Sequence, residues 1–236
     1  MSVRLMVVTS CTGRKAVDPP DKLTQADFAD PERLRAREAE LAPFLTPAGQ
    51  LYTGQQHVQT MRAMERLRCQ YGPESATLRI VSAGYGVVSE ARPLAPYEVT
   101  FNDMGRREAR EWGRHLRIPE ELRRAVGGQP LVVFLLGARY LDAVEPPVLP
   151  AAGQRFVFLA GPAEAKALSV PGVTVVPAGR TEASRYRSGM VALKGRMFDL
   201  FSRGLPGGGE ALWSSVLADD TPASFLRAVD LGVRQG

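Results

Sequence analysis

Five short apolar runs constrain this chain more than any other feature: "RLMVVT" (4–9), "LRIVS" (78–82), "LVVFLL" (131–136), "RFVFLA" (155–160) and "VTVVP" (173–177). They are rich in Val, Ile, Leu and Phe and nearly continuous instead of alternating. That pattern suits strands covered on both faces, as in a parallel sheet. Helical periodicity lies between them. "QQHVQTMRAMERLRCQY" (55–71) aligns Val58, Met61, Met64, Leu67 and Tyr71 at three- and four-residue spacing. "GRREAREWGRHLR" is a charged helix, and "SGMVALKGRMFDLFSRG" predicts one running from a Ser N-cap to Gly204. The alternation gives an α/β fold: a mainly parallel sheet of about five strands flanked by helices.

Two segments depart from the alternation. Residues 17–50 carry Pro19, Pro20, Pro31, Pro43 and Pro47 around a charged helical piece and read as an insertion over the sheet edge or the site. After "GLPGGGE" (204–210) the chain reads as a helical C-terminal extension joined by a glycine linker. The expected organisation is therefore an α/β domain over 1–203 and an extension over 204–236.

Each run leaves through a turn containing glycine: "TSCTGRK", "SAGYGVV", "LLGARY", "LAGPAE" and "VPAGRTEA". In parallel α/β sheets ligands bind outside the carboxyl ends of the strands, where glycine lets the backbone approach them closely. The expectation is one receptacle lined by all five turns. In the first, the backbone of Ser10–Gly13, including Gly13, the hydroxyls of Ser10 and Thr12, and the cations Arg14 and Lys15 suit a phosphate, a carboxylate or the carbonyl edge of a base. The spacing is not that of a Walker A loop. In the second, Ser82, Gly84 and Tyr85 precede "APYEVTF", so Tyr85, Tyr97 and Phe101 are candidates for stacking a planar heterocycle. Glu98 is then the nearest carboxylate to serve as general base. The alternative for Tyr97 and Phe101 is ordinary core packing. Cys11, beside two cations, is a candidate nucleophile. Tyr52 and His57 in "LYTGQQHVQ" offer hydrogen bonds near a helix start, and Arg180, steadied by Glu182, completes the charge.

Cys11 and Cys69 are too few for a disulfide framework and lack metal spacing, so a reduced, cytoplasmic setting with no cofactor is expected. No apolar run is long enough for a membrane span. A net charge of +5 favours anionic partners. Residues 105–124 hold seven Arg against four Glu, and residues 180–203 hold six cations against Glu182 and Asp199. These runs support a second reading, a non-catalytic nucleic-acid-binding protein.

The order "SCTGRK", "LYTGQQH", "IVSAGYGVV", "APYEVTF" over residues 4–104 resembles a bacterial group of uncharacterised domains related to the YaaA peroxide-stress proteins. It is distantly similar to the catalytic domain of archaeosine synthase, which in turn is similar in fold to uracil-DNA glycosylases. The resemblance implies a pocket for a nucleobase or nucleotide in a stress-response or nucleic-acid-modifying protein. The leading expectation is an enzyme acting on a nucleobase or nucleotide, at the N-glycosidic bond or on the base itself.

Overall fold

The computed structural model describes residues 2–235. Its strands are β1 (Leu5–Ser10), β2 (Thr46–Pro47), β3 (Ala76–Ser82), β4 (Gly86–Ser89), β5 (Pro93–Leu94), β6 (Leu131–Leu135), β7 (Arg155–Ala160) and β8 (Val173–Pro177). Six of them form one sheet in the order β4-β3-β1-β6-β7-β8, parallel except for β4. The continuous apolar runs are explained by burial on both faces: every residue of β6 is buried, and all of β1 except Ser10. Across β6 and β7 the rings of Phe134 and Phe158 stack with centroids 4.0 Å apart. The sixth strand, β4, is a short antiparallel edge that the chain makes by folding straight back after β3.

The helices are α1 (Gln25–Phe28), α2 (Pro31–Glu40), α3 (Ala48–Leu51), α4 (Gln55–Tyr71), α5 (Arg106–His115), α6 (Ile118–Val126), α7 (Ala138–Val144), α8 (Pro162–Leu168), α9 (Arg180–Arg185), α10 (Leu193–Ala218) and α11 (Ala223–Val233). The chain leaves β1 through α4 toward β3, then returns past β1 and proceeds through β6, β7 and β8 in the other direction. Parallel crossovers are right-handed, so the reversal places α4 and α7 on opposite faces of the sheet. Helix α10 packs on α4 and reaches β6 and β7, closing the α4 face.

Helix α4 buries His57, Thr60, Ala63, Met64 and Leu67, whereas Val58 is exposed. The inward face is thus rotated from the expected apolar stripe. The polar members are accommodated locally: Thr60 Oγ1 donates to the Gln56 carbonyl 2.8 Å away, and His57 Nε2 donates to the Gly49 carbonyl at 2.9 Å. The rotation follows from a close helix crossing. A Cβ on Gly195 of α10 would lie 2.5 Å from the Gln56 carbonyl oxygen.

The residue 17–50 insertion folds over the β3 end of the sheet. Strand β2 pairs antiparallel with β5, Leu23 bridges to Tyr97, and the Phe28 ring sits where a Cβ on Gly84 would be. The expected glycine linker is mostly helical, and Gly209 within it breaks the helix and divides α10 into two segments. That element begins at Leu193, five residues after Ser188, runs through Gly204 and Pro206, and turns at Gly209, whose φ is +58°. Leu205, Leu212 and Trp213 are buried with the rest of the core, so the boundary expected at 203/204 falls within one helical element. Among the described residues no helix is long and apolar enough to cross a membrane.

Candidate functional site

The reversal of strand direction decides where a crevice opens. The chain leaves β1 toward one side and β6 toward the other, so their carboxyl ends part. This is the topological switch point at which open α/β sheets bind ligands. Gln56 spans the gap from α4: its side-chain amide donates to Thr9 Oγ1 at 3.2 Å and to the Leu135 carbonyl at 2.9 Å. Above it lies a cleft of about 630 Å³. The β1 exit (Ser10–Arg14), the α4 start (Gly54–Gln56), Thr100 and Asn102, Gly137 and Tyr140 of the β6 exit, and Met190, Val191 and Lys194 line it.

The cleft wall is rich in unpaired donors. Helix α4 starts at Gly54 with no side chain capping it, so the N–H groups of Gln55, Gln56 and His57 lack helix partners. Gly54 is required at this point, because the helix start lies so close to the β1 exit that a Cβ would be 2.7 Å from Thr12. The Gly54 N–H donates to Thr12 Oγ1 at 3.2 Å. Helix α10 also starts without a side-chain cap, and Lys194 stands in its first turn. The positive end of α4 therefore meets the Arg14 and Lys194 side chains, with the first turn of α10 beside them, where the Leu193 N–H donates to the Met190 carbonyl. Met190 and Val191, 52% and 83% exposed, give the same cleft an apolar lip.

Cys11 is buried at the cleft floor with Sγ 3.1 Å from the Tyr140 hydroxyl, which is 3.4 Å from Thr100 Oγ1. Burial holds the Tyr140 phenol well above its usual range, so it stays protonated as a hydrogen-bond donor. Lys194 Nζ donates to the Leu136 carbonyl and has no carboxylate within ion-pair distance among the described residues. Burial pushes its pKa down to about 8, against the weaker field of Glu164.

That depression carries a stability consequence. The folded protein holds the Lys194 proton more weakly than the unfolded chain, whose lysines titrate near 10.5. Stability attributable to Lys194 is therefore lowest below pH 8 and rises between pH 8 and 10.5. The gap corresponds to at most about 3 kcal/mol. Lys194→Met is expected to stabilise the protein at pH 7 and to remove this rise, read as the difference between the two urea-denaturation curves across pH 7–10. Parallel curves would place the ammonium in solvent.

The other expected site residues lie elsewhere, and the sheet order explains why. Strands stand about 4.8 Å apart, so β8 is about 14 Å from β1 and the two exits cannot share a small ligand. Arg180, exposed at the β8 exit, is outside the cleft, and Glu182 accepts the Gly179 N–H at 2.8 Å instead of holding Arg180. Gly161 of the β7 exit is outside it too. At the β3 exit the donors are consumed internally: the N–H groups of Gly84 and Tyr85 both donate to Ser82 Oγ.

Tyr97 is fully buried and its hydroxyl joins those of Tyr52 (2.8 Å) and Ser82 (2.7 Å). Its ring meets Phe28, Tyr52 and Tyr85 edge to face and carries Lys15 Nζ 4.3 Å from its centroid. Neither Tyr97 nor Tyr85, which packs against Phe28, presents an open face for a heterocycle, so the packing alternative describes them. Phe101 is likewise core.

Glu98 is 75% exposed and ion-paired to Lys22 at 2.8 Å, a contact that holds its carboxyl below the usual range. Both features disfavour a general base near neutrality. Lys15, with its pKa lowered by burial, turns away from Arg14 into a smaller cleft of about 220 Å³ shared with Glu98, Asp103 and Glu108. Buried Tyr52 and His57 face a separate groove on the far side of α4, and burial keeps His57 neutral. Of the expected site, Ser10, Cys11, Thr12, Gly13 and Arg14 are brought together, and Gln55, Gln56, Tyr140, Met190, Val191 and Lys194 complete the wall. The arginine runs are largely engaged: Arg106, Arg107, Arg114 and Arg124 pair with carboxylates, and Arg196 and Arg203 share Asp199 with Arg66.

Among the described residues no group of three or more His, Cys, Asp or Glu side chains is placed to hold a metal ion. Residues 40–169, more than half of the chain, match a model described as a family of unknown function, DUF6884. That segment contains the α4 start, Thr100, Asn102, Gly137 and Tyr140, whereas the β1 exit and Lys194 lie outside it. A search of curated proteins returns no match.

Proposed function

The chain belongs to the DUF6884 family, and we propose that it is an enzyme that takes a phosphate-bearing nucleotide in the switch-point cleft. The observation that carries this reading is the meeting of the uncapped α4 end with Arg14 and Lys194 beside an apolar lip. Unpaired main-chain N–H groups and cations accept a phosphate, while Met190 and Val191 give a base or sugar face an apolar contact. Nucleotide is also the ligand class implied by the resemblance to the YaaA-related domains. Tyr140 and Cys11, hydrogen-bonded to each other, supply polar groups on the floor of the same cleft. A reaction at the N-glycosidic bond or on the base is the chemistry that the same resemblance implies.

Thermal denaturation with a panel of nucleoside monophosphates, nucleosides and free bases tests the reading. A nucleoside monophosphate is expected to raise Tm and the matching nucleoside to raise it far less. Arg14→Ala removes one charge-assisted hydrogen bond, commonly about 1.5–3 kcal/mol, so the affinity should fall roughly tenfold or more. No shift with any phosphate-bearing ligand, or an unchanged affinity in Arg14→Ala, removes the proposal.

A further inference from the structure

Arginine supplies 26 of the chain's 30 cations, so each lysine stands where the chain's default would be a guanidinium. The lysines are Lys15, Lys22, Lys166 and Lys194. Lys22 is held between Asp18 and Glu98, Lys166 is exposed on α8, and Lys15 lies against the Tyr97 ring. Lys194 alone lines the switch-point cleft. A site that needed only charge would be served at least as well by arginine, whose planar fork binds phosphate through two bonds. A primary amine differs in one chemical respect: it can lose a proton and attack carbon.

The surroundings of Lys194 suit that role. Its one side-chain hydrogen bond runs to a main-chain carbonyl, Leu136, at the end of β6. A carbonyl accepts an N–H from either form of the amine, more strongly from the ammonium, and with the neutral amine the contact aims the nitrogen without occupying its lone pair. Among the described residues no carboxylate stands within ion-pair distance to fix the charged form, and burial opposes it against the weaker field of Glu164. The amine also shares its cleft with the α4 start, so a phosphate on the helix end would bring the remainder of the same ligand to Lys194.

We propose that Lys194 is a nucleophile that forms an imine with the aldehyde carbon of an open-chain sugar phosphate, the C1′ carbon of a sugar without its base. This deepens the nucleotide reading and rests on it. The Nζ lone pair forms the C–N bond as the carbonyl π pair moves to oxygen. A proton passes from nitrogen to that oxygen, giving a carbinolamine. The hydroxyl then leaves as water with a second nitrogen proton, and the nitrogen lone pair closes the C=N bond. Aldehyde and amine give imine and water, with no change of oxidation state.

Reductive trapping tests this. The full chain is incubated at pH 8 with ribose 5-phosphate and cyanoborohydride, which converts an imine into a stable secondary amine, and adducts are mapped by peptide mass. A single predominant adduct on Lys194 is expected, absent from Lys194→Arg, with much slower labelling by ribose. Labelling spread evenly over Lys22, Lys166 and Lys194 overturns the proposal, as does equal total labelling of Lys194→Arg. Failure to label Lys194 while ribose 5-phosphate still raises the wild-type Tm overturns the imine and leaves the cleft as a phosphate site. Labelling of Lys194 by ribose and ribose 5-phosphate at the same rate, with no Tm shift, overturns phosphate recognition and the nucleotide reading with it.

Discussion

Gly204→Val should lower the stability of this protein more than any other single change considered. Helices α10 and α11 cross at two buried glycines, and the approach is backbone to backbone. A Cβ on Gly204 would lie 1.9 Å from the Ala228 carbonyl oxygen, and one on Gly232 would lie 2.0 Å from that of Leu200. No rotamer change relieves such a contact; the helices must separate. Separation also opens the packing around the crossing, where the Phe201 and Phe225 rings stack with centroids 4.5 Å apart. Overpacking commonly costs about 1–3 kcal/mol, and more when backbone must move. Adding the loosened aromatic contact gives an expected loss of about 3–5 kcal/mol. With a urea slope of about 2–3 kcal/mol/M, the midpoint should fall by roughly 1–2 M. Protease cleavage should then appear first in the 219–222 connection, where α11 joins. A midpoint within about 0.3 M of wild type would mean that the helices do not approach as described.

The same crossing shows where sequence reading ran short. "GLPGGGE" has the composition of a linker, and glycine and proline both disfavour helix interiors. Tertiary burial keeps the residues on either side helical, through the core contacts of Leu205, Leu212 and Trp213, and the chain breaks at Gly209. Glycine here serves close helix approach, a use that composition cannot distinguish from flexibility. The strands were legible because burial on both faces leaves a continuous apolar run. Strand β4, four residues long at the edge, was hidden inside what read as a strand exit.

For the site, the β1 exit was legible because its turn chemistry is local, whereas the convergence of five exits was not. Which exits meet is fixed by strand order, and order depends on the direction of each crossover, which no local pattern records. The aromatic residues misled for a related reason. Tyr85 and Tyr97 have the chemistry to stack a base, yet their hydroxyls find partners inside the protein, and only the fold reveals that the partners are there. Lys194 left a faint mark, a lysine in an arginine-rich chain, but nothing local tied it to a strand exit 58 residues earlier.

Gly54→Val carries a large expected effect on ligand binding, and its logic separates the site from the scaffold. Gly54 has an ordinary negative φ of −65°, so valine is not excluded by backbone conformation. The obstacle is Thr12, whose Cβ and Cγ2 would both lie 2.7 Å from the new Cβ. Either the α4 start withdraws from the β1 exit or Thr12 is displaced, and in both cases the Gly54 N–H loses Thr12 Oγ1. The middle of α4 is held independently, by Met64 and Leu67 in the core and by its packing on α10, so the helix itself should persist. What moves is the positive helix end that faces the cleft. A well-placed helix end contributes up to about 2 kcal/mol toward an anion, so its displacement should weaken phosphate binding roughly 30-fold. Circular dichroism at 25 °C should remain close to wild type while the nucleotide-induced Tm shift largely disappears. If the shift survives intact in a folded Gly54→Val protein, the phosphate does not sit at the α4 end, and Lys194 and Arg14 would have to bind it without that helix.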